Sequence, residues 1–165
     1  MEDLESKRES YKPERIEVLF VGESPPQKGF FYSPEGSLLG EATKGAFEDA
    51  FQKAFKTYEE FLEFFKSQGC YLVDLLPGRG RNIELVRDEE REAAKSKLGE
   101  LIAQHKPRMV VAVLRRICRH VRRAVEESGV KAEVRCLPFP RRFRGRYRRE
   151  LAEIMASLKD RASRS

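Results

Sequence analysis

The chain has 165 residues, of which 40% are hydrophobic and 36% charged, and it carries a net charge of +6. No apolar run approaches the ~20 residues that a membrane-spanning helix needs. Residues 1–15 are mostly polar or charged and do not read as a secretory leader, so one cytoplasmic domain, nucleoid-associated at most, is expected.

Residues 1–12 are expected to be loose, with the domain running over 13–160. The run Ile16–Val21 is β-branched and apolar and stops at Gly22, which reads as a buried strand. Helical spacing follows in Phe47, Ala50, Phe51, Ala54 and Phe55, and then in Phe61, Leu62 and Phe65 up to Gly69. This phenylalanine stripe reads as core packing. Tyr71–Leu76 is a second strand. Glu89–His105 is a helix with Ala94, Leu98, Leu101 and Ile102 on one face, stopped by Lys106-Pro107. Met109–Leu114 is a third strand. Ile117–Glu127 repeats Ile117, Val121 and Val125 at four-residue steps before Ser128-Gly129, Glu133–Leu137 is a fourth strand, and Tyr147–Leu158 closes the chain as a helix. Residues 160–165 are again expected to be loose.

Strands that lack clean polar alternation and alternate with helices imply a parallel sheet covered on both faces. The expected fold class is therefore α/β, a three-layer sandwich around a small four-stranded parallel sheet. The three cysteines, Cys70, Cys118 and Cys136, show no C-x-x-C spacing. They are too few for a four-thiolate iron–sulfur cluster. With only His105 and His120 beside them, they do not suggest a zinc site either. Buried, reduced thiols are expected, with no metal and no cofactor.

In a parallel sheet the segments that follow the strands converge at one edge, where ligands bind. Those segments bring together Glu23, Ser24, Phe30, Phe31 and Tyr32 after the first strand, Asp74, Arg79 and Arg81 at the end of the second, and Arg141, Arg142 and Arg144 after the fourth. The third strand ends in Arg115 and Arg116. Pro25 and Pro26 stiffen the turn that presents Glu23 and Ser24. Arginines crowd into 115–123 (five of nine residues) and 135–149 (seven of fifteen), a composition that favours a polyanionic partner. Acids and aromatics in a cleft with arginines at its rim fit an enzyme that works on a base extruded from nucleic acid.

These motifs resemble those of the uracil-DNA glycosylase superfamily. Gly22-Glu23-Ser24-Pro25-Pro26 is similar to the G-E-A-P-G of its thermophile-type branch. Tyr71-Leu72-Val73-Asp74, followed by Pro77-Gly78-Arg79-Gly80-Arg81-Asn82, is similar to that branch's Y-I-T-N and the loop after it. Leu137-Pro138-Phe139-Pro140 stands where the family has H-P-S-P, and Arg141–Arg146 stands where the family's DNA-wedging loop lies.

The resemblance implies a monomeric, metal-independent DNA glycosylase of base excision repair. It implies that Glu23, aided by Ser24, orients water or stabilises the sugar cation. Phe31, with Phe30 as its rival, stacks on the base, Asp74 reads the base edge, and Arg79, Arg81, Arg141, Arg142 and Arg144 hold DNA. Two departures matter. Leu137 replaces the family's leaving-group histidine. Asp74 replaces an asparagine that both donates and accepts, whereas an ionised carboxylate only accepts, so a base other than plain uracil is expected, one with a guanine-like two-donor edge or a protonated base. An Asp74 whose pKa is raised by burial would instead donate to a carbonyl in its protonated form and mimic the asparagine in part. The bare residues leave other readings open. Glu23 can bind an arginine or backbone amides, Ser24 can cap its own turn, and Asp74 can pair with Arg79 or Arg81. The whole chain can be a non-catalytic DNA reader, or a nucleoside-binding enzyme that has no use for the arginines.

Overall fold

The computed structural model describes residues 3–164, with side chains as far as Arg161. Four parallel strands form one sheet: β1 (Val18–Gly22), β2 (Cys70–Asp74), β3 (Met109–Ala112) and β4 (Glu133–Cys136), in the order β2-β1-β3-β4. Each strand is shorter than the apolar run that announces it. Leu75, Leu76 and Leu137 lie just past the assigned strand ends but stay buried, and their amides continue the inter-strand hydrogen bonds. The register sets Gly22 beside Asp74, so the ends of β1 and β2 finish level with each other.

Among the described residues six α-helices accompany the sheet: α1 (Leu4–Ser10), α2 (Leu38–Phe51), α3 (Tyr58–Ser67), α4 (Asp88–His105), α5 (Cys118–Ser128) and α6 (Pro140–Arg164). The start of α2 is fixed by Ser37, whose hydroxyl accepts from the Gly40 amide at 3.0 Å, and Thr57 caps α3 in the same way at 3.1 Å. One phenylalanine stripe becomes two helices because Gln52 ends α2 in a left-handed conformation. Helices α2 and α6 pack on each other, as do α4 and α5, consistent with a three-layer α/β sandwich. Among the described residues no helix is long and apolar enough to cross a membrane.

Phe47, Phe61 and Phe65 are fully buried and join Phe20 and Phe31 in a continuous aromatic cluster. The stripe is thus core. Two expectations are corrected. The segment 1–12 is not loose over its described part: α1 docks on the domain through Arg8, whose side chain is only 9% exposed. Helix α6 likewise continues through 160–164, while Met1, Glu2 and Ser165 lie outside the described residues.

The third correction concerns the cysteines. Cys118, which opens α5, is disulfide-bonded to Cys136, the last residue of β4, with Cα atoms 5.9 Å apart. The β3–β4 pairing brings these distant positions together. Cys70 alone keeps a thiol, and burial pushes its pKa up.

Candidate functional site

At the C-terminal ends of β1 and β2 the chain forms two facing loops, and backbone hydrogen bonds stitch them together. Leu75 N donates to Gly22 O, Leu76 N to Glu23 O, and Gly80 N to Pro25 O, each at 2.8 Å. Ser24 adds a fourth stitch: its hydroxyl accepts from Arg81 N at 2.8 Å and lies 3.1 Å from Arg81 O. Arg79 reaches back to Pro26 O and Gly29 O at 2.6 and 2.7 Å. Ser24 and Arg79 therefore build the wall of the site. Arg81 contributes its backbone to that wall and pairs its guanidinium with Glu90 at 2.8 Å.

These loops, the short 3-10 turn at Arg115–Ile117 and the segment leading into α6 enclose a cleft of about 580 Å³. Glu23, Phe30, Asp74, Arg116, Phe139 and Arg141 all line it. The Glu23 side chain is 12% exposed and uses both carboxylate oxygens. Oε2 accepts from Ile83 N and from Arg116 Nε, each at 2.9 Å, and Oε1 accepts from Arg116 Nη2 at 2.7 Å. Glu23 thus has both an arginine and a backbone amide as partners. Its remaining acceptor capacity lies in the cleft wall.

Asp74 sits level with Gly22 at the floor. A Cβ at Gly22 would stand 2.7 Å from Asp74 Oδ1, so the carboxylate occupies space that only glycine leaves open. Its partner is neither Arg79 nor Arg81. Oδ2 accepts instead from Arg8 Nη2 at 3.1 Å, across 66 positions of sequence. Burial pushes the Asp74 carboxyl up to about 6, although the Arg8 guanidinium opposes the shift.

All three adjacent aromatics are buried. Phe31 lines the cleft, and its ring is also packed against Tyr32, Phe61 and Phe65. Phe30 lines it too, with the Arg8 guanidinium over its ring at 5.3 Å and Tyr32 at its edge, so both candidates for stacking stand in the cleft wall. Leu137 is 1% exposed and holds the ladder through Leu137 N to Ala112 O at 2.8 Å. The following Phe139 is the one that reaches the cleft.

Arg141 lines the cleft; it and the nearby Arg142 and Arg144 are exposed, and no ion pair joins the three to the described residues. Phe143 lies among them, 47% exposed, at a kink where its backbone leaves helical geometry (φ −124°, ψ 47°). Arg146 and Arg148, by contrast, are engaged with Glu150 and Asp49. Sequence reading named Arg116 only as charge at a strand end, and it missed Arg8 altogether, because a mostly polar helix of seven residues has no apolar period to announce burial.

No protein-family model and no curated protein sequence matches the chain, so its chemistry rests on this geometry.

Proposed function

We propose that the chain is a DNA glycosylase with a fold of the uracil-DNA glycosylase type, hydrolysing the N-glycosidic bond of a flipped, damaged or deaminated base. The observation that carries this reading is the cleft itself. A buried carboxylate (Asp74), aromatic rings (Phe30 and Phe31) and a strand-end carboxylate (Glu23) meet in one cavity that Arg141 also lines, and the exposed Arg142, Phe143 and Arg144 follow Arg141 directly in the chain. Arg141, Arg142 and Arg144 would take phosphates, and Phe143 would fill the gap that the flipped base leaves.

In the reaction the C1′–N bond breaks, water adds to C1′, and the base leaves as an anion that then takes a proton. Glu23 stabilises the positive charge that develops on the sugar and directs water through Oε1. Arg116, beside it in the cleft wall, would stabilise the departing base anion in a chain whose Leu137 side chain offers no donor.

The deciding experiment incubates oligonucleotides carrying uracil, hypoxanthine, xanthine or oxidised bases with wild type and Glu23→Ala, followed by alkaline cleavage. Cleavage at one lesion that vanishes in the variant is the expected result. Salt-sensitive DNA binding without any cleavage would favour the second reading, a DNA-binding protein with little or no catalysis. Two observations speak for that reading: Leu137 is buried, and the Glu23 carboxylate is bound on both oxygens by Arg116.

A further inference from the structure

Two walls of different chemistry meet at Asp74, which lines both the main cleft and a smaller cavity of about 280 Å³ between α1 and α4. Arg8 lines only the smaller one. The guanidinium approaches Asp74 from behind, takes Oδ2 at 3.1 Å, and is itself held by Glu5 at 2.6 Å and by the Phe30 ring at 5.3 Å. Arg8 Nε is buried without a hydrogen-bond partner, a cost that a surface arginine would avoid. Oδ1, over Gly22, accepts no hydrogen bond from the described residues. The cleft floor therefore presents an acceptor backed by a cation that no ligand in the cleft touches.

We propose that Asp74, positioned by Arg8, makes the cleft select a base whose edge offers N–H donors, such as a guanine-type edge with a ring N–H beside an amino group, over a base that turns a carbonyl oxygen to it. This rests on the reading of the cleft as a base site and names the class of base. A carbonyl oxygen placed against Oδ1 would meet a desolvated acceptor with no proton between them. A guanine-type edge supplies that proton from a ring N–H with an amino donor beside it, whereas the ring N–H of uracil has a carbonyl oxygen on either side. Phe30 with Leu39 and Leu72 provides apolar surface for the flat ring. Arg8 is a positioning residue. It fixes which oxygen is free and favours the charged, acceptor-only form of the carboxylate.

The test measures binding of 2′-deoxyguanosine, 2′-deoxyinosine and 2′-deoxyuridine to wild type, Asp74→Asn, Arg8→Gln and Arg8→Lys by calorimetry at neutral pH. The expected order in wild type is deoxyguanosine, then deoxyinosine, then deoxyuridine, with roughly tenfold or more between first and last. Asp74→Asn should shift the preference toward deoxyuridine. Arg8→Gln should narrow it, with the ¹³C-detected titration of the Asp74 carboxyl moving to higher pH, and Arg8→Lys should restore part of both.

A wild type that prefers deoxyuridine, that binds none of the three, or whose order is unmoved by Asp74→Asn overturns the proposal. So does base release from uracil-containing DNA alone, which would leave the glycosylase reading standing. The expected order of binding without base release from any DNA would do the opposite, upholding the donor-edge selection and removing the catalysis.

Discussion

Arg116 grips Glu23 through both carboxylate oxygens, at 2.7 and 2.9 Å, and in doing so ties the turn after β3 to the end of β1. Because the Arg116 side chain is 42% exposed, this pair contributes little to stability, under about 1 kcal/mol. Its consequence lies in the direction it gives Glu23. Glu23→Gln keeps an acceptor for Ile83 N and removes the charge. The expected result is a Tm close to wild type, with single-turnover base release slower by on the order of 100-fold. A variant that releases base at the wild-type rate would remove Glu23 from the chemistry.

Asp74 supplies a pH dependence of unusual sign. Its folded pKa of about 6 lies above the ordinary 3.8, so the folded chain binds the proton more tightly than the unfolded chain does. The stability this contributes is fully present below about pH 4 and is lost as pH rises through about 6, the reverse of a salt-bridged acid. Comparison with Asp74→Asn cancels the other titrating groups. From pH 5 to pH 7, wild type should lose on the order of 1 kcal/mol relative to the variant, as read by denaturant unfolding at each pH. A difference that does not change with pH would show that Asp74 is ionised throughout.

The Cys118–Cys136 bond closes a loop across 18 positions. In the chain-entropy account such a closure stabilises by about 3 kcal/mol. Cys118→Ser, or wild type unfolded in excess dithiothreitol, should show a Tm lower by roughly 6–12 °C. Equal Tm values with and without reductant would show that the bond does not form in solution.

The rim arginines divide by their partners. Replacing Arg141, Arg142 and Arg144 with glutamine together should weaken DNA binding irrespective of sequence. It should also reduce the slope of log K against log[salt] by up to about 3 for duplex DNA, since each phosphate contact accounts for ~0.9. Arg148→Gln, which breaks a contact with Asp49 instead, should leave that slope nearly unchanged. A slope unaffected by the triple change would place the DNA elsewhere.

The sheet was legible because its signal is local: four apolar runs, three of them ended by a glycine or proline, and the strand ends that carry Glu23 and Asp74 follow from them. What escaped has non-local causes. Arg8 is buried by a contact 66 positions away, and within α1 the only strongly apolar residue is Leu4, so nothing nearby marks it as an inside residue. Cys118 and Cys136 meet only because β4 returns beside β3, a geometry that cysteine spacing does not encode. Phe30 and Phe31 both line the cleft and both are buried; what adjacent aromatics of equal hydrophobicity do not reveal is that α3 sets Phe61 and Phe65 against Phe31 and not Phe30.

The 2.7 Å between Asp74 Oδ1 and the missing Cβ of Gly22 makes positions 22 and 74 a single mutational unit. Gly22→Ala in the wild-type background evicts a carboxylate from its slot and uncouples it from Arg8. The same alanine beside a serine or glycine at 74 meets no obstacle. In a library randomised at both positions, glycine at 22 should tolerate many residues at 74, while any larger residue at 22 should survive only with a small partner. The route by which this cleft could acquire a different ligand preference therefore begins at position 74, with glycine retained at 22.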